Sequence, residues 1–133
     1  DAAGMKILVV EDNEINMEIA EFYLTEAGAK TEKAWNGAEA VQKFAESETG
    51  SFDVVLMDVM MPVMDGLEAT RRIRALEHPD AGTVTILAMT AQSSADSIHQ
   101  CEQAGMNGYI AKPVEAAELI KILSEKCPKG CKK

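Results

Sequence analysis

Three apolar runs end on side chains that phosphoryl chemistry could use. Residues 7–10 lead into Glu11 and Asp12, residues 54–57 into Asp58, and residues 85–89 into Thr90; a fourth run, 109–111, delivers Lys112 and Pro113. As parallel strands of one open α/β sheet, these runs would share an edge, and ligands of such sheets bind just beyond the carboxyl ends of the strands. Three carboxylates, a hydroxyl and an ammonium would then meet at one place. Carboxylates so crowded keep a proton or take a cation at neutral pH. Mg2+ suits them, because it takes oxygen ligands in a strict octahedron and retains several waters. Asp58 would be the nucleophile toward a phosphoryl group, forming an aspartyl phosphate. Transfer of so highly charged a group depends on positioning and cations more than on a base, so Lys112 would be the second positive centre and Thr90 a hydrogen-bond donor.

Each residue taken singly has a plainer reading. An acidic pair after a strand often starts a helix, with Asp12 or Asn13 as N-cap. An aspartate ending a strand is commonly a turn residue, Thr90 a strand end and Lys112 a surface cation. The conjunction of all four at one sheet edge favours the site.

Strand-like runs alternate with helix-like stretches from end to end, the pattern of a parallel-sheet α/β domain. The spacing predicts strands over 6–10, 31–35, 53–57, 85–89 and 108–111. It predicts helices over 14–27, 38–46, 67–76, 94–104 and 115–126. In the first helix, Ile15, Ile19, Phe22 and Tyr23 share a face; in the second Val41 and Phe44 point inward, and in the last Ala116, Leu119, Ile122 and Leu123. Gly28 and Gly105 fall where helix-ending glycines belong. The third strand lacks polar alternation and should be central and covered on both faces. This reads as one (βα)5 domain over 6–126, with residues 1–5 a leader or a boundary left by excision from a longer chain and 127–133 a polar tail.

The 133 residues suffice for a core without staples. The net charge of −9 argues against nonspecific nucleic-acid binding, which needs a basic stripe. No run approaches the ~18 apolar residues of a membrane span. The 3 cysteines are an odd count, which fits a reducing cytoplasm better than a disulfide framework.

Four stretches together resemble the receiver domains of two-component response regulators: Val9-Val10-Glu11-Asp12-Asn13, residues 56–66 (Leu-Met-Asp-Val-Met-Met-Pro-Val-Met-Asp-Gly), Ala88-Met89-Thr90-Ala91, and residues 105–113 (Gly-Met-Asn-Gly-Tyr-Ile-Ala-Lys-Pro). The resemblance covers essentially residues 6–123 and is greatest to receivers of hybrid histidine kinases. It implies a flavodoxin-like, doubly wound fold with strand order 2-1-3-4-5. It implies that Asp58 accepts a phosphoryl group from a histidine of a histidine kinase or histidine-phosphotransfer domain. Mg2+, with Mn2+ an acceptable substitute, would be held by Asp12, Asp58 and the Met60 carbonyl, and by Glu11 mainly through water. Lys112 would pair with phosphoryl oxygens, Thr90 and Tyr109 would act as the switch pair, and the Lys112–Pro113 bond would be cis. The output face would be the fourth helix, fifth strand and fifth helix, with no nucleic-acid or membrane contact by this domain. A receiver from a hybrid sensor kinase, in the cytoplasm or the cytoplasmic part of a membrane-anchored sensor, is expected over a stand-alone regulator.

Rival readings fail on particular residues. A haloacid-dehalogenase-type phosphatase needs a second aspartate two positions after the nucleophile, where this chain has Met60. A flavin carrier needs a phosphate loop after the first strand, where Glu11, Asp12 and Glu14 would repel it, and no Gly-x-Gly-x-x-Gly occurs. A pure interaction module is disfavoured by the intact set. Met57, Met60, Met61 and Met64 read as packing rather than a copper site. Cys101, Cys127 and Cys131 read as free thiols rather than zinc ligands. His78 and His99 do not read as phosphodonors, so the phosphoryl group must come in trans or from another domain.

Overall fold

In the computed structural model, which describes residues 4–59, 64–91, 94–112 and 114–126, strands and helices alternate along the chain. They are β1 (Lys6–Val10), α1 (Glu14–Glu26), β2 (Lys30–Ala34), α2 (Gly37–Glu46), β3 (Val54–Asp58), α3 (Gly66–Arg74), β4 (Thr85–Thr90), α4 (Ala95–Ala104), β5 (Gly108–Ala111) and α5 (Ala116–Lys126). The sheet is parallel with order β2-β1-β3-β4-β5, the flavodoxin-like order expected.

Burial follows position in the sheet. Every residue of the central strands β3 and β4 is buried, whereas the edge strand β2 carries Lys30, Thr31, Glu32 and Lys33 at least partly exposed. Charged edge residues of this kind discourage pairing with another chain. Side chains alternate across the sheet, which divides the core in two. Ile7, Val9, Val54, Leu56, Leu87, Met89 and Ile110 pack with Met17, Ala20 and Leu24 of α1 and Leu119 and Leu123 of α5. Leu8, Val10, Val55, Met57, Ile86 and Ala88 pack on the other face with Phe44, Ala69, Ile73 and Cys101 from α2, α3 and α4. Burying a side chain such as Phe44 contributes about 1.5–3 kcal/mol.

Local chemistry sets the helix ends. Asn13, Asn36, Asp65 and Ser94 are N-caps whose side chains accept from the amides of Asn16, Glu39, Glu68 and Ser97, each typically worth ~1 kcal/mol. Gly105 closes α4 at φ 109°, the left-handed conformation glycine adopts without a Cβ penalty.

Three expectations are corrected. The face of α1 bearing Ile15, Ile19 and Phe22 is turned to solvent, at 67%, 39% and 61% exposure. Met17, Ala20 and Leu24 fill the core instead, and Tyr23 packs at its margin; α1 carries two apolar stripes, and periodicity alone does not say which one the sheet covers. Ala116 is exposed at the start of α5. The third strand is shifted by one residue, to Val54–Asp58, so that Asp58 is its last residue, in register with Met89, and the fourth likewise runs on to Thr90. Met60, Pro113, Cys127, Cys131 and the expected tail lie outside the described residues. No helix among the described residues is long and apolar enough to cross a membrane.

Candidate functional site

The strand register assembles the site one step at a time. Val10 pairs with Met57, so Glu11 emerges beside Asp58; Asp58 pairs with Met89, so Thr90 lies one residue beyond it. Thr90 pairs with Ala111, and the ladder continues as the Lys112 amide donates to the Thr90 carbonyl at 2.8 Å. Glu11, Asp58 and Lys112 share the alternation phase of Val9, Leu56 and Ile110, the α1/α5 side of the sheet. Thr90 has the phase of Ala88, the α2/α3/α4 side.

The Lys112 Nζ lies 3.0 Å from Asp58 Oδ2 and 3.2 Å from Glu11 Oε1. Glu11 and Asp58 are each 2% exposed and Thr90 6%, while Asp12 is open to solvent. The second Glu11 oxygen accepts from the Asn13 amide at 3.2 Å, which joins the carboxylate to the cap of α1. One oxygen from each of Glu11, Asp12 and Asp58 lies within 4.8 Å of the others. Among the described residues this is the one group of three or more side chains placed to share a metal ion.

Three carboxylates against one ammonium leave the cluster with excess negative charge. Burial pushes the Asp58 carboxyl up to about 6, with the Lys112 contact opposing the rise and the Glu11 charge adding to it. Burial alone would lower the Lys112 ammonium, but its contacts with Asp58 and Glu11 prevail and raise it. A donor set made only of oxygens, crowded, buried on one side and open at Asp12, fits a hard divalent cation that keeps part of its water.

A cleft of about 280 Å3 opens beside the cluster, lined by Glu11, Asn16, Ile19, Met89, Lys112 and Val114. Asn16 and Ile19 went unnoticed as site residues in the sequence, although Ile15, Ile19 and Phe22 at helical spacing were the available signal. Tyr109 stands apart from the carboxylates. It is 39% exposed and borders a cavity of about 20 Å3 with Ile98, Cys101, Glu102, Met106 and Gly108. Cys101 is buried on α4, and burial pushes its thiol up, with Glu102 adding to the rise. His78 bridges two loops, its Nε2 2.9 Å from the Ser47 carbonyl and its Nδ1 accepting from the Asp80 amide at 3.0 Å; both ring nitrogens are occupied structurally.

Known proteins resemble this chain in sequence and fold. The chain is 40% identical over 128 residues to the osmosensing histidine protein kinase SLN1 of Saccharomyces cerevisiae, which covers 93% of this chain but 10% of that protein. It is 36% identical to hybrid signal transduction histidine kinase L of Dictyostelium discoideum, covering 90% of this chain and 7% of that protein. The chain thus spans about a tenth or less of these relatives. Among solved structures, the receiver domain of a sensor histidine kinase from Pseudomonas aeruginosa, with a magnesium ion in its active-site cleft, superposes at a TM-score of 0.83 with 40% identity, covering 94% of this chain and 98% of that one. The receiver domain of a Saccharomyces cerevisiae response regulator, crystallised with its histidine phosphotransfer protein, matches at a TM-score of 0.85 and 29% identity, covering 98% of this chain and 94% of that one. The family model for the response regulator receiver domain matches residues 7–124. With its acidic strand ends, paired lysine and sheet order, the chain belongs to the response regulator receiver domain family.

Proposed function

We propose that this receiver is a phosphorylation-gated switch in which Asp58 is the phosphoacceptor. The observation that carries the reading is the Asp58–Lys112 pair at 3.0 Å, inside a carboxylate cluster at the carboxyl edge of the sheet. An Asp58 carboxylate oxygen attacks the phosphorus of a partner's phosphohistidine. The P–N bond breaks, its electron pair returns to the imidazole, and an acyl phosphate remains on Asp58. Lys112 holds a phosphoryl oxygen in place, and Thr90, one residue along the neighbouring strand, supplies a hydroxyl donor. Mg2+, with Mn2+ as a substitute, held by Asp12, Asp58, the Met60 carbonyl and Glu11 mainly through water, would offset the charge spread over the transferring group. The phosphoryl group brings a charge of about −2, and Thr90, Lys112 and Tyr109 relay it to the face made by α4, β5 and α5 by shifting an existing equilibrium.

The donor fits the α1 side. Ile15, Ile19 and Phe22 form an exposed apolar stripe, and Ile19 also lines the cleft that Glu11 and Lys112 border. A histidine-phosphotransfer or histidine-kinase helix seated on that stripe would present its imidazole toward Asp58. The co-crystallised relative supports a partner of that kind. Likeness to hybrid kinases supports origin in a hybrid sensor over a stand-alone regulator, with residues 6–126 as the domain and the cytoplasm as its site of action.

Mixing the chain with a histidine-phosphorylated phosphotransfer domain and Mg2+ tests the reading. The label should move to this chain and not to Asp58→Asn; transfer to the mutant at the wild-type rate would refute it.

A further inference from the structure

Helix α2 begins against the far end of the segment that starts at Asp58. Gly37, its first residue, is buried, and its amide donates to the Met64 carbonyl at 3.1 Å. That amide belongs to the first turn, where the helix itself supplies no acceptor. The flanking residues hold it still: Asn36 Oδ1 accepts from the Glu39 amide and Glu39 Oε1 from the Trp35 amide, both at 2.9 Å. The approach depends on the missing side chain. A Cβ on Gly37 would press into the Met64 carbonyl oxygen and lie 3.0 Å from the Ala69 Cβ. One neighbour is backbone and the other a side chain on α3. Gly37 is not among the glycines at positive φ, so the requirement is closeness and not backbone freedom.

Two residues later the same segment returns to the phosphoacceptor. The Gly66 amide donates to the Val59 carbonyl at 2.9 Å, and a Cβ on Gly66 would collide with the Asp58 carbonyl oxygen. At both glycines the atom nearest the missing Cβ is a backbone oxygen, of Met64 at Gly37 and of Asp58 at Gly66, with the Met57 Cγ also 2.9 Å from the Cβ position on Gly66.

We infer that Gly37 is a positioning residue for the phosphoacceptor site: by letting α2 close on Met64, it sets the backbone of Asp58 through Gly66. The inference rests on the reading of Asp58 as phosphoacceptor.

The test is Gly37→Ala, with Val41→Ala as a control that weakens the packing of α2 on the core one turn on while leaving Gly37 and its hydrogen bond to the Met64 carbonyl in place. Calorimetric Mg2+ titration and the rate of phosphorylation by acetyl phosphate are measured beside urea stability. For Gly37→Ala, Mg2+ affinity should fall about tenfold, as when outer contacts of a metal site are lost, and the rate should fall about tenfold or more through misplacement of the nucleophile. Val41→Ala should lose stability and keep wild-type affinity and rate. Wild-type affinity and rate in folded Gly37→Ala would overturn the inference. Should Gly37→Ala not fold, Asn36→Ala, which loosens the start of α2, should weaken Mg2+ binding about threefold; an unchanged affinity there overturns it equally. A wild-type chain that takes no phosphoryl group would refute the functional reading itself, whereas a competent wild type with an equally competent Gly37→Ala refutes this inference alone.

Discussion

Asp58→Asn should make the metal-free domain more stable, because the site is built at the expense of the fold. Asp58 is 2% exposed, lies within reach of two other carboxylates, and has its carboxyl raised from 3.8 to about 6, first by burial and then by the Glu11 charge, with Lys112 only partly compensating. At ~1.36 kcal/mol per pH unit, the rise corresponds to about 3 kcal/mol. Between pH 4 and 6 the native state keeps a proton that the unfolded chain has released, so stability falls as pH rises through that window. Asparagine keeps the shape without the charge and does not titrate. Urea unfolding in EDTA, followed by circular dichroism, should therefore show the two proteins nearly equal at pH 4 and the mutant ahead by up to about 3 kcal/mol at pH 7.5. Saturating Mg2+ should close the gap, since a ligand at a hundred times its Kd adds about 2.7 kcal/mol to the protein that binds it. A mutant no more stable than wild type at pH 7.5 in EDTA, or a difference independent of pH, would refute the reasoning.

Lys112→Ala leaves Asp58 and Glu11 without their ammonium and should destabilise the metal-free domain by about 3 kcal/mol. Mg2+ binding should persist while the conformational response to phosphorylation disappears, which calorimetry and backbone NMR shifts along α4 and β5 would show; a retained response would count against Lys112 as the relay. Phe22→Ala, on the exposed stripe of α1, should slow phosphotransfer from a protein donor about tenfold and leave acetyl phosphate labelling unchanged, since an interface anchor is commonly worth more than ~1 kcal/mol; equal effects on both donors would contradict docking there. Arg74→Ala removes the guanidinium that donates to the carbonyls of Gly105 and Ala81 and to Asn107 Oδ1, so urea unfolding should report a loss of about 2–4 kcal/mol.

The central strands were legible because they are unbroken apolar runs, and the polar residues that end them followed from the same reading. Register then decides what the linear order leaves open. Glu11 and Asp12 are adjacent acids in the sequence, yet Glu11 continues the phase of Ile7 and Val9 into the buried cluster, whereas Asp12 faces water. Helix α1 misled for a physical reason: its stripes at 17, 20, 24 and at 15, 19, 22 both fit a helical period, and the sheet covers one. The apposition of Gly37 and Met64 is beyond sequence reasoning, because an Asn-Gly pair is by itself a turn signal, whereas here Asn36 caps α2 and Gly37 opens it, and nothing local tells that another backbone comes so near.

The most direct measurement is the intact mass of the protein after incubation with acetyl phosphate, in Mg2+ and in EDTA, followed by peptide mapping of the modified residue. One added phosphoryl group is expected, on Asp58, in Mg2+ alone, and none on Asp58→Asn. A wild-type chain that remains unmodified in Mg2+, or a phosphoryl group found on His78, His99 or any residue other than Asp58, would contradict it.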